Sequence, residues 1–215
     1  MAASSEQVEE LSDEIEIRRL AAERLTFFSD AVVAIALTLL ALALPIPDGS
    51  TNSAVLHSAL AQSSAYIAFL ISFLVIAAEW RAHHQLFRYV VSLNNRLTQL
   101  NIYWLFMLVI TPFAIRVLNG HGAFQARFIF YATVQALASG LFMLITWEVR
   151  RSGLHRENIP SDLFSRAMRQ GVVLALAFLL SIPVSFFSEW AYACWAFVPL
   201  INLVITRVRA RRRTT

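Results

Sequence analysis

The sequence predicts an all-α membrane protein with six transmembrane helices. Of its 215 residues, 58% are hydrophobic and only 15% are charged, and the mean hydropathy is +0.59. Soluble domains carry about 25% charged residues. Six apolar stretches recur along the chain, each near the about 17–25 residues that a membrane-spanning helix needs. They cover residues 25–47, 58–80, 97–118, 124–148, 169–187 and 190–206.

The last stretch is the weakest, because Ser188, Glu189 and Trp190 leave it short. A merged or re-entrant segment there would give five crossings, which is the alternative topology. With six crossings, we expect a polar N-terminal tail over residues 1–22, a transmembrane domain over 23–206 and an arginine-rich C-terminal tail over 207–215.

The arginines predict the orientation of these helices. All 18 basic residues are arginine, and with the N-terminus inside, only Arg116 and Arg127 fall on the outer side. Such a bias is typical of cytoplasmic loops, so we expect both termini to be cytoplasmic. The C-terminal RVRARRR run is interpreted as a topology and lipid-headgroup anchor, not as a nucleic-acid-binding site.

The first stretch, RLTFFSDAVVAIALTLLALALP over residues 24–45, has two different faces. On a helical wheel of about 100° per residue, Ile35, Leu39 and Leu42 lie within about 60° of one another, with Thr38 on the flank of this stripe. Asp30 points about 140° away from Ile35. The carboxylate therefore belongs to a different face from the apolar stripe.

A carboxylate in a membrane segment needs a partner, since its insertion costs about 2.5–3.5 kcal/mol. Candidate partners of Asp30 lie where the cytoplasmic ends of the neighbouring spans are expected. They are Arg24 on the same helix, Trp80, His83 and His84 in EWRAHHQLF, and Asn101. The sequence leaves open which of the two histidines pairs with Asp30.

These residues carry a resemblance to a known family. RLTFFSD matches the RxxxFSD signature of the transmembrane protein 175 family of prokaryotic and lysosomal potassium channels, with Arg24, Phe28, Ser29 and Asp30 at the fixed positions. The WRAHH block, Asn101, Pro112–Phe113 and the six-span layout resemble the same family's pattern.

The resemblance implies a potassium-selective cation channel of the plasma membrane without the TVGYG filter of ordinary potassium channels. Its pore would be lined by the first helix, with a hydrophobic gate at Ile35, Leu39 and Leu42. Thr38 is the selectivity candidate, although its hydroxyl could equally bond to its own helix. The resemblance implies no cofactor besides the permeating K⁺.

One copy of a helix cannot surround a pore, and the FSD signature occurs once in the chain. Several chains must therefore assemble around a symmetry axis. A single-repeat chain resembles the tetrameric bacterial form of the family, so we expect a homotetramer in the lipid bilayer.

Other functions find less support in the sequence. The absence of a nucleophile–base pair, a glycine-rich phosphate loop or a cysteine cluster argues against an enzyme. Adjacent histidines such as His83 and His84 point to different helix faces, which argues against a metal site. The alternatives to a potassium channel are a secondary transporter or a proton-conducting membrane protein.

Overall fold

The computed structural model describes residues 2–187 together with Ala191 and Trp195. Over this part of the chain the architecture is helical, with one isolated antiparallel bridge between Val90 and His155. The helices are α1 (Ala2–Ala41), α2 (Asn52–Ala61), α3 (Ser63–Phe87), α4 (Asn95–Leu118), α5 (Phe124–Arg151) and α6 (Leu163–Val184).

Helix α1 has 40 residues, so at about 1.5 Å per residue it is roughly 60 Å long. The segment expected to be a polar tail is its first half. Charge pairs at helical spacing support that half, with Arg18 and Glu14 2.5 Å apart and Arg19 and Glu23 3.6 Å apart. The helix ends at Ala41 and not at residue 47, since Pro45 lacks the N–H that a further turn needs.

Five of the described helices are long and apolar enough to cross a membrane: the Ser12–Ala41 part of α1, and α3, α4, α5 and α6. They correspond to the first five predicted spans. The second span is displaced towards the C-terminus, because the polar EWRAHHQLF sequence continues α3 to Phe87. The predicted sixth span and the C-terminal tail lie outside the described residues, apart from Ala191 and Trp195.

Helix α2 was not predicted. It has ten residues, too few to span a bilayer, and Thr51 caps its first turn by accepting a hydrogen bond from the backbone N–H of Ala54.

The helices pack around an aromatic core. Helices α4, α5 and α6 form the central layer, and α1 lies against α3 and α4. The largest fully buried side chains include Trp104, Tyr131, Phe128, Phe142 and Phe178. Helix α4 of this layer, together with α3, supports one side of α1.

Candidate functional site

One face of α1 is packed against α3 and α4. Its buried residues Ser29, Val33, Ala36 and Leu40 are each at most 1% exposed. They follow one another at i, i+4, i+7 and i+11, which is one stripe of an α-helix. This face fastens the membrane part of α1 to the rest of the chain.

The other face of α1 carries the apolar stripe. Ile35, Leu39 and Leu42 are 58%, 42% and 79% exposed, and Thr38 beside them is exposed too. Leu42 lies in the turn directly after the helix. The Thr38 hydroxyl donates to the Ile35 carbonyl oxygen at 2.8 Å. Large apolar side chains thus remain uncovered along one side of a membrane helix, within a single copy of the chain.

Asp30 pairs with two side chains of α3. Its Oδ1 accepts a hydrogen bond from Trp80 Nε1 at 2.8 Å, and its Oδ2 lies 3.2 Å from His84 Nδ1. Trp80 and His84 are one turn apart, with ring centroids 5.6 Å from each other. The Asp30 side chain is 26% exposed, so this pair lies at the surface of a single copy of the chain. Of the two candidate histidines, the structure places His84 next to Asp30.

Ser29 pairs with α4 through a second, fully buried branch. Its hydroxyl donates to the Leu25 carbonyl at 2.8 Å and accepts from Asn101 Nδ2 at 2.9 Å. Asn101 Oδ1 in turn lies 2.8 Å from His83 Nε2. This assignment of the amide makes Nε2 the protonated nitrogen of the His83 ring.

The His83 ring is held between two aromatic rings. It stacks on Phe87 with centroids 4.0 Å apart and on Trp104 at 4.4 Å. Its Nδ1 atom has no hydrogen-bond partner among the described residues. The hydrogen bond to Asn101 is therefore what orients this ring within the aromatic stack.

Two signature residues lie apart from this network. Arg24 is exposed and makes no ion pair within the described part of the chain, and Phe28 is 56% exposed. The expectation that Arg24 neutralises Asp30 is not met, because residues six apart on a helix point about 120° away from each other. Arg24 and Phe28 instead lie on the same side of α1 as Ile35, because they precede it by about three turns and about two turns. Arg24 lines a cavity of about 570 Å³ with Ile17, Leu20, Ala21, Leu25 and Leu93.

The sequence did not identify the buried polar pairs between α3 and α5. Glu79 is 1% exposed, and its Oε1 accepts from Ser139 Oγ at 2.7 Å, while Oε2 has no partner in the described structure. On the same face of α3, about two turns towards its N-terminus, Ser72 Oγ lies 2.6 Å from Tyr131 Oη. The sequence does contain one indication of the Glu79–Ser139 pair, since a glutamate within an apolar run needs a polar partner. In the residues described, no cluster of three metal-binding side chains occurs.

Comparison with known proteins agrees with this geometry. The sequence model of the family described as endosomal/lysosomal potassium channel TMEM175 matches residues 24–112. A potassium channel of Streptomyces collinus is 32% identical over 134 residues, which cover 60% of this chain and 65% of the relative. A potassium channel of Chamaesiphon minutus is 28% identical over 195 residues, covering 85% of this chain and 93% of the relative.

Solved structures share the fold. A crystal structure of a lysosomal potassium-selective channel TMEM175 homolog from Chamaesiphon minutus superposes with a TM-score of 0.71 at 23% identity, covering 86% of this chain and 98% of that one. A variant of the potassium channel MtTMEM175 superposes with a TM-score of 0.55 at 19% identity, with coverage of 89% and 93%. The matched signature region and the relatives make the chain similar to the TMEM175 family over residues 24–112, and the solved structures share its fold.

Proposed function

We propose that this protein is a potassium-selective channel in which four copies of α1 surround a central pore. The observation that carries the proposal is the exposed stripe of Ile35, Leu39 and Leu42, which lies opposite the face fastened to α3 and α4. Similarity to the TMEM175 family and the potassium channels among the relatives support the same function. A homotetramer with cyclic symmetry would bring the four stripes together.

In this arrangement the apolar side chains form the gate. From Ile35 to Leu42 the path is seven residues, or about 10 Å at 1.5 Å per residue. A constriction of that length lined by isoleucine and leucine closes by expelling water. An ion cannot cross the dry segment, because it would lose its hydration shell and find no polar group to replace it. Rotation or separation of the four helices would rehydrate and open it.

Thr38 is the residue to which we assign cation selection. Its hydroxyl donates a hydrogen bond to the Ile35 carbonyl oxygen, with 2.8 Å between the two oxygens. The lone pairs of Oγ1 are consequently left to accept, which is the role that a cation or its bound water requires. A ring of four such oxygens would stand directly beside the apolar gate.

We assign the protein to the plasma membrane with both termini in the cytoplasm. The arginines support this orientation, because eight of the ten within residues 81–169 lie in the α3–α4 and α5–α6 connections or in the helix ends next to them. The Ser29–Asp30 pair then lies at the cytoplasmic end of the pore.

The decisive experiment is a measurement of bi-ionic reversal potentials on the purified protein in planar bilayers. We expect a potential set by K⁺, and a raised resting conductance for Ile35→Asn, since a polar ring would hydrate the gate. Leu180→Asn is the matched control, because this leucine is 61% exposed on α6, away from the stripe. Current that follows the proton gradient, or transport coupled to a second solute, would replace the channel proposal with the proton-conducting or transporter alternative.

A further inference from the structure

Two arginines from different helices converge on one tryptophan at the arginine-rich end of the molecule. Arg96, at the start of α4, places its guanidinium 5.2 Å from the centroid of the Trp147 ring. Arg151, the last residue of α5, lies 4.7 Å from the same ring. Trp147 is 37% exposed, so this group of three side chains, the Arg96–Trp147–Arg151 cluster, faces outwards.

The cluster is built on a fixed junction. Asn94 caps α4 by accepting from the Leu97 N–H at 2.7 Å, and its Nδ2 donates to Glu148 Oε1 at 2.8 Å. Ser152 Oγ donates to the same carboxylate oxygen at 2.8 Å. These bonds hold the start of α4 and the end of α5 together.

The charges of this junction do not cancel. The buried Glu148 carboxylate, 3.4 Å from Arg96 Nε, balances one guanidinium. Arg151 makes no salt bridge with any residue that the structure describes. Two arginines against one carboxylate leave a net positive charge, so the cluster is complementary to an anion.

A row of exposed apolar side chains continues from the cluster along α5. Leu144 is 45% exposed and Leu137 is 50% exposed, on the same face of the helix as Trp147 and Arg151. From Leu137 to Trp147 the helix rises about 15 Å, which is half of the roughly 30 Å hydrocarbon core, or one leaflet. An acyl chain that starts at the cluster would therefore reach the middle of the bilayer along this row.

We propose that the Arg96–Trp147–Arg151 cluster is a binding site for an anionic phospholipid of the leaflet that faces the arginine-rich end. Arg96 and Arg151 hold the phosphate, and one acyl chain lies along Trp147, Leu144 and Leu137. Guanidinium groups suit this role because they bind phosphate oxygens through two parallel hydrogen bonds. The inference depends on the helices being in a membrane and not on ion conduction.

The test is native mass spectrometry of the full-length protein in detergent, titrated with dioctanoyl phosphatidylglycerol, dioctanoyl phosphatidylcholine or glycerol 3-phosphate. We expect saturable binding of the phosphatidylglycerol, and apparent affinity about tenfold lower for Arg151→Gln, as for the loss of one charge-assisted contact. Arg151→Lys should fall in between. Arg88→Gln is the matched control, because Arg88 is exposed at the same end of the molecule and is not near Trp147.

Three results would overturn the proposal. Equal loss of affinity in Arg88→Gln and Arg151→Gln would mean diffuse attraction to the arginine-rich surface. Equal binding of glycerol 3-phosphate and phosphatidylglycerol would mean a free-phosphate site. Unchanged binding in Trp147→Leu, which removes the ring and keeps both charges, would mean that the lipid binds elsewhere.

Discussion

Replacing Asn101 by leucine should be the most damaging single change in the network around the signature. Asn101 is fully buried and bonds to Ser29 on one side and to His83 on the other. The Ser29 hydroxyl keeps its bond to Leu25, but the His83 Nε2–H becomes a buried donor without an acceptor. Such a donor costs about 1–3 kcal/mol, and the lost bond to Ser29 adds about 0.5–1.5 kcal/mol. We expect a loss of about 2–4 kcal/mol in the free energy of unfolding, measured by equilibrium unfolding in mixed micelles.

Two further variants separate this mechanism from general damage to α4. Gln99→Leu makes the same chemical change at an exposed position two residues away and should be nearly neutral. His83→Phe in the Asn101→Leu background removes the unpaired nitrogen while keeping a ring between Phe87 and Trp104, and should restore about 1 kcal/mol or more. An Asn101→Leu protein within about 0.5 kcal/mol of the wild type would refute the argument.

Three other predictions follow from the same contacts. Thr38→Val keeps the shape and deletes the oxygen, so the K⁺-to-Na⁺ permeability ratio from bi-ionic potentials should fall; an unchanged ratio would restrict the hydroxyl to its helix-internal bond. Asp30→Asn keeps an acceptor for Trp80, and the Asp30 side chain is 26% exposed. This variant should therefore destabilise the protein by less than about 1 kcal/mol, which is less than the effect of Asn101→Leu. Ser139→Ala removes the hydrogen bond to Glu79 Oε1 and leaves a buried carboxyl without a partner, so it should lower the free energy of unfolding by about 1–3 kcal/mol; an unchanged value in the same unfolding measurement would contradict this.

The spans of the described helices were predictable because lipid requires apolar side chains over a fixed length. The end of α3 could not be predicted in this way, since the hydropathy of the sequence falls at Glu79 while the helix continues to Phe87. Polar groups there are satisfied by other helices, such as Ser139 for Glu79 and Asp30 for Trp80. A hydropathy profile has no access to partners that are distant in sequence.

The helical wheel predicted the two faces of α1, but it could not choose between adjacent histidines. His83 and His84 are about 100° apart, and only the positions of α1 and α4 relative to α3 decide which ring meets Asp30 and which meets Asn101. Sequence proximity to Asp30 made Arg24 one candidate partner, although the same wheel places Arg24 on the side of Ile35.

The polar pair at the start of the membrane part of α1 fixes the rotation of that helix. Ser29 and Asp30 are adjacent, hence about 100° apart, and they bond to different neighbours, Asn101 on α4 and Trp80 on α3. Apolar packing alone would tolerate a small rotation or slide of α1, whereas two directional attachments on two helices allow only one orientation. A rotation by one residue would turn Ile35 by about 100° away from the pore axis that we propose. In the proposed channel the signature would therefore act on the gate from a distance, by determining which side chains of α1 face the axis.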